Sequence, residues 1–380
     1  LPTLLEYAPD ESCKPADLPY RGRRLLTFND SRQGTARMAA RLQQESERHR
    51  VRALVYHLAL REGQQQTGAE IEALRSEIAE YESALKDIPS SQGRQIFEKQ
   101  LAQKRERLAA LNTPKPIPFN AMAQNLASQG QDFARMLKHY RDDVSWQSFG
   151  DHDGPLTLAR LFLVREFGRR PKRLNNLESM GLVAVHYPGL DRIKTPHPGF
   201  TLAEWHDLLK IALDFFVRAG GTLIVEDKAR HWLGTRFPHT WLVERDRPAI
   251  SRGERRWPRA KRSGLRGTLV RLLAHTLKAD IQTSYGQDVV DDVLAAIWKA
   301  LTEEGAILKV FEGGRRSLPL DALAFAPMTH AWICPVTRRF LDVTLRGITP
   351  YLPIQATEAT AKCTEVPIPL SDQPFGGDAD

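Results

Sequence analysis

Positive charge is concentrated in one short segment of this chain. Between Arg245 and Arg266, nine basic residues stand against two acidic ones, a surplus of seven in a chain whose net charge is +8. Guanidinium groups bind phosphate oxygens and an aromatic ring stacks on a base, and Trp257 lies in the middle of the segment. A solvated charged loop is the alternative. We predict a loop that contacts nucleic acid through Arg252, Arg255, Arg256, Trp257, Arg259, Lys261 and Arg262.

Two smaller basic clusters lie at predicted turns. Arg315 and Arg316 follow two glycines, and a second cluster separates two predicted helices. For each of them a solvated loop is again the alternative, but three basic turns in one chain favour nucleic-acid binding. The second cluster consists of Arg169, Arg170, Lys172 and Arg173.

The sequence contains no constellation typical of an enzyme. The patterns GxxxxGK[ST], HExxH, GxSxG and GxGxxG are all absent. Asp151-His152-Asp153 and the scattered histidines lack recurrent ligand spacing, and the three cysteines form no CxxC pair. We predict no catalytic residue, metal site or cofactor in this chain. A zinc site shared by Cys334, Cys363 and residues outside the chain is the alternative.

Length and composition indicate an ordinary globular protein. The chain has 380 residues, and one domain takes about 150 residues on average, so we expect two or three cores. Apolar residues make up 42% and charged residues 26%, which argues against disorder and fibrous repeats. No apolar run approaches the roughly 20 residues of a membrane helix, and the first residues do not resemble an export signal. We expect a cytoplasmic protein without a membrane partner.

The first third of the chain has three readable parts. Residues 24–28 have the apolar run of a buried strand, and Asn29-Asp30-Ser31 supplies N-cap chemistry for a helix from Gln33. Residues 62–111 carry apolar side chains at helical spacing on both sides of a short turn, which predicts an antiparallel helical hairpin. The proline-rich residues 113–119 mark a boundary.

The middle of the chain alternates helical and strand patterns. The order of helix, basic turn, helix and strand over residues 155–187 predicts a helix-turn-helix element. Helices are predicted at 120–140, 155–167, 175–180 and 202–219, and strands at 182–187 and 222–225.

The segment 264–328 resembles a winged helix in its order of elements. Two predicted helices precede two predicted strands, and the turn between the strands carries Arg315 and Arg316 at its tip. The helices lie at 267–277 and 288–304, and the strands at 306–311 and 319–325. Residues 332–351 have the short apolar runs of strands, and the chain beyond Pro353 is predicted to be a loose tail.

The predicted fold class mixes α/β and mainly α architecture. Five regions follow: an α/β unit at 1–61, a helical hairpin at 62–112, a mixed α/β helical region with basic turns at 113–262, a winged-helix-like domain at 263–330, and a strand-rich segment with a loose tail at 331–380.

Three segments carry a resemblance to a known family. The first reads Arg-Leu-Leu-Thr-Phe-Asn-Asp-Ser-Arg-Gln-Gly-Thr-Ala-Arg-Met-Ala at 24–39. The second combines Arg-Glu-Phe-Gly-Arg-Arg-Pro at 165–171 with Leu-Glu-Ser-Met-Gly-Leu at 177–182, and the third is Cys-Pro-Val-Thr-Arg-Arg-Phe-Leu-Asp-Val-Thr-Leu-Arg-Gly at 334–347. Together they resemble the superfamily 2 DEAD/DEAH-box helicases, in particular long bacterial members with a Cys-rich C-terminal domain that are often found in antiphage defence systems.

The resemblance implies a place within such a helicase. Segment 24–39 is similar to motif IV, which opens the second RecA-like lobe and helps hold the nucleic-acid backbone, so that role falls on Ser31, Arg32 and Gln33. The remainder is expected to be an insertion before motif V. ATP and Mg²⁺ are then expected only for the full-length parent, because the phosphate loop and the DEAD-type box would precede this sequence. An unrelated α/β edge unit is the alternative explanation of the first segment.

The predicted function is a nucleic-acid-binding accessory part of an ATP-dependent DNA helicase or translocase, not catalytically competent alone. Its expected partners are DNA, single or double stranded, the rest of the parent helicase and a protein of the defence system. The alternative is a protein-interaction scaffold region of a multi-subunit bacterial defence complex, with the helical hairpin as its docking arm.

Overall fold

A computed structural model of the chain describes residues 32–64, 68–87, 97–104, 114–129, 136–137, 154–169, 175–233, 239–368 and 370. It confirms a mixed α/β protein with small sheets. The chain divides into two compact units, residues 1–57 with 370–380, and residues 58–369. None of the helices in the described ranges combines the length and the apolar composition that a membrane span requires. The predicted strand at 24–28 lies outside these ranges.

Long helices occupy the first part of the described chain. Helix α1 (Arg32–Gln64) begins one residue before the predicted start at Gln33. In the larger unit, α2 (Gly68–Asp87) packs against the helical residues 97–104 through a small core of Leu74, Ile78 and Leu101, with Tyr81 and Leu85 against it. Tyr81 contacts Phe97 while the earlier Glu77 pairs with the later Lys104, so the two arms run antiparallel.

The first sheet lies in the core of the larger unit. Its strands are β1 (Ile117–Pro118), β2 (Val183–His186) and β7 (Ala324–Pro327), in the antiparallel order β1-β7-β2. All four residues of β7 are buried, and the Phe325 ring lies 4.4 Å from that of Phe167. Helices α3 (Phe119–Ala127) and α4 (Gly154–Phe167) pack on each other beside this sheet.

A long helical segment follows β2 in the chain. Helix α5 (Leu202–Ile211) begins at a capping box, in which Thr201 accepts from the Glu204 N–H and Glu204 accepts from the Thr201 N–H. It continues as a π-helical stretch, Ala212–Arg218, which is buried throughout. The predicted strand at 222–225 forms a single parallel bridge, Leu223 to Leu318. Helix α6 (Asp227–Leu233) is the last element of the described range 175–233.

The second sheet carries the residues of the basic segment. Its four strands are β3 (Trp241–Val243), β4 (Glu254–Arg256), β5 (Lys309–Phe311) and β6 (Arg315–Ser317), in the order β4-β3-β6-β5. Strands β3 and β4 are parallel and the other two pairs are antiparallel. The turn from β5 to β6 needs positive φ at Gly313 and Gly314, both at 71°, which explains two glycines there.

Three helices lie between β4 and β5. These are α7 (Ala260–Ser263), α8 (Thr268–Thr276) and α9 (Ser284–Lys299), the last of which continues as a π-helical turn, Ala300–Glu304. The apolar positions that predicted α8 and α9 are buried in the structure, among them Leu272, Leu273, Val293 and Ile297. Helix α9 begins where the Thr283 hydroxyl accepts from the Gly286 N–H.

The hairpin that follows α9 differs from a free two-stranded wing. Its second strand is β6 at 315–317 and not the predicted 319–325, and β6 also pairs with β3. Residues 324–327 belong to the first sheet. Arg315 and Arg316 are consequently strand residues of a four-stranded sheet and not turn residues, because β6 begins at Arg315 and also pairs with β3.

Two further predictions are corrected by the structure. Residues 175–180 form a turn and not a helix, since Asn176 and Ser179 exchange hydrogen bonds between backbone N–H groups and side-chain oxygens. The chain beyond Pro353 is not uniformly loose: α10 (Glu358–Ala361) leads into β10 (Thr364–Pro367), which pairs with β8 (His330–Ile333). Strand β9 (Phe340–Leu341) completes this third sheet in the order β10-β8-β9.

Candidate nucleic-acid interface

The predicted basic loop is built into the second sheet. Strand β4 and helix α7 both lie within residues 245–266. Strand β4 belongs to the sheet that also contains Arg315 and Arg316. Two of the three basic clusters predicted from the sequence, almost fifty residues apart at their nearest, therefore contribute strands to one sheet. Their convergence follows from the pairing of β3 with both β4 and β6.

Two predicted contact residues pack against other parts of the protein: Trp257 is buried and Arg255 is half-buried. Trp257 is 1% exposed, and its Nε1 donates to the Leu294 carbonyl at 2.7 Å, so it does not offer its ring to a base. The Arg255 guanidinium lies 3.5 Å from the centre of the Phe216 ring and donates to the Phe216 carbonyl. Burial lowers the pKa of Arg255 to about 10, which still leaves it charged at neutral pH.

Several arginines of the segment are held by backbone carbonyls. Arg256 donates to the carbonyls of Arg247 and Pro248 at 2.8 and 2.7 Å. Arg247 donates to the Gly313 carbonyl at 2.8 Å, and Arg262 donates to that of Arg245 at 3.3 Å. A carbonyl orients a guanidinium without cancelling its charge, so these contacts position positive charge.

Carboxylates balance only part of the charge. Asp246 accepts from Arg259 at 2.6 Å and from Arg245 at 3.3 Å. The remaining three cations, Arg252, Lys261 and Arg266, are exposed and make no side-chain hydrogen bond or ion pair with the described part of the chain. These three, together with Arg262, are the exposed basic residues of the segment.

A buried carboxylate connects the two basic clusters. Glu254, whose side chain is 1% exposed, accepts from Arg315 Nε at 2.7 Å and lies 3.8 Å from Arg247 Nη2. Hydrogen bonds from the Ser251 N–H and from Arg315 lower the pKa of Glu254, so it is ionised at neutral pH. Two guanidinium groups share one carboxylate, and a net positive charge remains at the surface.

Aromatic side chains lie on the same sheet. Trp241 and Val243 share a face of β3, and Arg315 and its partner Phe311 continue that face across β6 and β5. The ring centres of Trp241 and Phe311 are 4.8 Å apart, and the ring centre of His239, which precedes β3, lies 4.3 Å from that of Trp241. These three rings, which we call the aromatic row, are a feature that the sequence analysis missed. Their signal is weak because seventy residues separate Trp241 from Phe311.

The other predicted site residues are more dispersed. Arg169 donates to the Ala219 carbonyl at 3.3 Å, whereas Arg170, Lys172 and Arg173 lie outside the described residues. Arg316 occupies the middle of β6 and approaches the Leu308 carbonyl at 3.5 Å. Ser31 is outside the described residues, and Arg32 and Gln33 are the first residues of α1. Their motif IV role stays a prediction.

The described residues contain one group of carboxylates with the spacing of a metal site. Glu178, Asp214 and Asp342 each place an oxygen within 4.8 Å of the others. Cations of the protein already contact them: Arg218 Nη2 lies 2.6 Å from Glu178 and 2.7 Å from Asp214, and Lys210 lies 2.8 Å from Asp342. The side chains of Arg218, Glu178 and Asp214 are fully buried. We therefore interpret this buried ionic cluster as part of the core.

Compared with models of protein families, with curated proteins and with solved structures, the chain matches none of them.

Proposed function

We propose that this chain binds nucleic acid through the second sheet and its basic segment, as an accessory part of an ATP-dependent superfamily 2 DNA helicase or translocase. The observation that carries the proposal is that the basic segment 245–266 enters, through β4, the same sheet that contains Arg315 and Arg316 in β6. Carbonyl contacts position several of these guanidinium groups and leave their charge in place. Such an arrangement suits phosphate oxygens and needs no reading of base sequence.

The helicase setting rests on the resemblance of three sequence segments. Two of these segments meet in the structure, because Glu178 of the second and Asp342 of the third belong to the buried ionic cluster. The Phe167 carbonyl, also from the second segment, accepts from Arg218 in the same cluster. This supports a common core for the resembling segments. ATP and Mg²⁺ would be bound by other parts of the parent helicase.

Salt-dependent binding tests the proposal. Fluorescence anisotropy of labelled DNA is followed against the 380-residue chain over a range of salt concentrations. Each phosphate that a cation neutralises contributes about 0.7 to 0.9 to the slope of log affinity against log salt. A variant in which the four exposed cations of the segment become alanine is expected to lose about 3 from that slope, if each makes one contact. The four are Arg252, Lys261, Arg262 and Arg266.

A matched control removes equal charge elsewhere. Arg192, Lys194, Lys228 and Lys362 are exposed and make no side-chain hydrogen bond or ion pair with residues that the structure describes. Replacing these four by alanine changes the net charge identically and is expected to leave the slope unchanged. An equal loss of slope in both variants would show that binding depends on the overall charge of the chain and not on the basic segment. Absence of binding even at low salt would favour the scaffold function, in which the helical hairpin contacts a protein partner.

A further inference from the structure

One ring of the aromatic row, Phe311, is exposed at an edge of the second sheet, and Trp241 beside it is half-buried on the inner strand β3. Strand β5 is one of the two edge strands, and all three of its residues are exposed, with Val310 at 60% and Phe311 at 36%. Proteins usually protect an edge strand from solvent or give it charged side chains, because open edges promote aggregation. An exposed phenylalanine on such an edge, in contact with a half-buried tryptophan of the same sheet, therefore requires an explanation.

Cations flank the two rings on the same face. Phe311 pairs directly with Arg315 across the β5–β6 ladder, and Arg315 is oriented by Glu254 at 2.7 Å. Arg247 is bound to the Gly313 carbonyl in the turn that follows Phe311. Ring faces and guanidinium groups thus occur side by side. This combination serves ligands that carry flat apolar groups on an anionic backbone.

We propose that Trp241 and Phe311 form a stacking site for unpaired bases, so that the second sheet binds single-stranded nucleic acid. The inference rests on the proposed nucleic-acid binding and adds the strand state of the ligand. In a duplex the base faces are covered by neighbouring bases, and only phosphates and base edges are accessible. In a single strand a base face is free to stack on an aromatic ring, and such stacking tolerates any sequence.

Stacking and charge contributions differ in their dependence on salt. Charge contacts release counterions and weaken as salt rises, whereas a base stack involves no counterion. The affinity ratio between a stacking variant and the unmodified chain is therefore expected to stay constant across salt concentrations. The ratio for the variant without the four exposed cations is expected to shrink as salt rises.

Substitutions at Phe311 test the site with little change to the sheet. Phe311→Leu keeps an apolar side chain and removes the ring, and Phe311→Tyr keeps the ring. Loss of one base stack is expected to weaken binding of a labelled oligothymidylate by about 10-fold. Phe311→Tyr is expected to bind with the affinity of the unmodified chain. Val310→Ala, an exposed apolar residue of the same strand that projects from the opposite face, is the matched control and is expected to bind normally.

Three labelled ligands separate the outcomes. These are oligothymidylate, an abasic strand of equal length and a duplex, each measured by anisotropy. The proposal requires Phe311→Leu to weaken only the base-containing single strand. Equal loss on the abasic strand, or no loss on any ligand while the four-alanine variant still shows its salt effect, would overturn the stacking site and leave charge-based binding intact. If no ligand binds the unmodified chain, the proposed function fails as well.

Discussion

Replacing Arg218 by methionine tests how much of the fold depends on the buried ionic cluster. The guanidinium makes five hydrogen bonds, one for each of its N–H groups: two to Glu178, two to Asp214 and one to the Phe167 carbonyl. Methionine is of similar length and removes all five. Glu178 retains the Asn176 amide, and Asp214 retains the Tyr187 hydroxyl at 2.6 Å.

The expected cost follows from the charges that remain. Without Arg218, the three carboxylates of the cluster lose one of their two cations among the contacts that the described residues make, and Lys210 remains beside Asp214 and Asp342. Breaking a buried ion pair by removing one partner costs about 3–5 kcal/mol, because a buried charge loses its compensation. We expect Arg218→Met to lower the free energy of unfolding by that amount at neutral pH.

The same reasoning predicts a pH dependence. A buried carboxylate that has lost its cation takes up a proton more readily, so its pKa rises in the folded variant. The folded variant then binds more protons than the unfolded chain, and its stability increases as pH falls towards the carboxylate pKa range. The difference between Arg218→Met and the unmodified chain is therefore expected to be smaller at pH 5 than at pH 7.5.

Urea denaturation followed by tryptophan fluorescence measures the effect at both pH values. Arg346→Met is the matched control, since Arg346 also binds a glutamate through two nitrogens, but the side chains of Arg346 and Glu204 are 39% and 28% exposed. An exposed pair contributes about 0–1 kcal/mol. Adding Glu178→Gln to Arg218→Met is expected to recover part of the loss. A cost for Arg218→Met no larger than that of the control, independent of pH, would refute the assignment of this cluster to the core.

Two further substitutions distinguish structural from functional roles. Trp257→Phe removes the hydrogen bond to Leu294 and is expected to cost about 1–3 kcal/mol in unfolding free energy while nucleic-acid affinity in the anisotropy assay changes by less than about twofold. A large loss of affinity without a loss of stability would instead indicate that Trp257 contacts nucleic acid. His186 has a pKa lowered to about 4 by burial and by Lys210, against an ordinary value of 6.5. Between these pH values His186 is protonated in the unfolded chain but not in the folded protein. We therefore expect His186 to lower the free energy of unfolding by at most about 3 kcal/mol as pH falls from 6.5 to 4. In thermal unfolding, His186→Gln should lose less stability than the unmodified chain over that pH range. An unchanged dependence of stability on pH would contradict the role of His186 in this loss.

Four helices of the larger unit were predictable because their signal is local. The apolar spacing at 155–167, 202–219, 267–277 and 288–304 matches α4, α5 with its π-helical extension, α8 and α9 with its π-helical turn. Side chains three and four positions apart share one helix face, so a short window of sequence contains the whole pattern. The glycines at 313 and 314 are equally local, since positive φ is a property of the turn itself.

Strand partners were less predictable. The return strand of the hairpin was expected at 319–325, but β6 ends at Ser317, and residues 324–327 pair in the first sheet. A strand of three residues carries little periodicity, and its position depends on partners far away in the chain. The turn at 175–180 shows the same limit, because Asn176 and Ser179 can hydrogen-bond locally in a turn as readily as they fit a helix.

The amount and clustering of positive charge were determined by the sequence alone, as were the amphipathic helices and the glycine turn. Tertiary structure decided which cations remain available: Arg255 packs on Phe216, Arg315 binds Glu254, and Arg252 stays exposed. It also brought Trp241 and Phe311 together. The physical reason is that exposure and charge pairing depend on contacts between residues distant in sequence, and sheet order, which no local pattern encodes, sets those contacts.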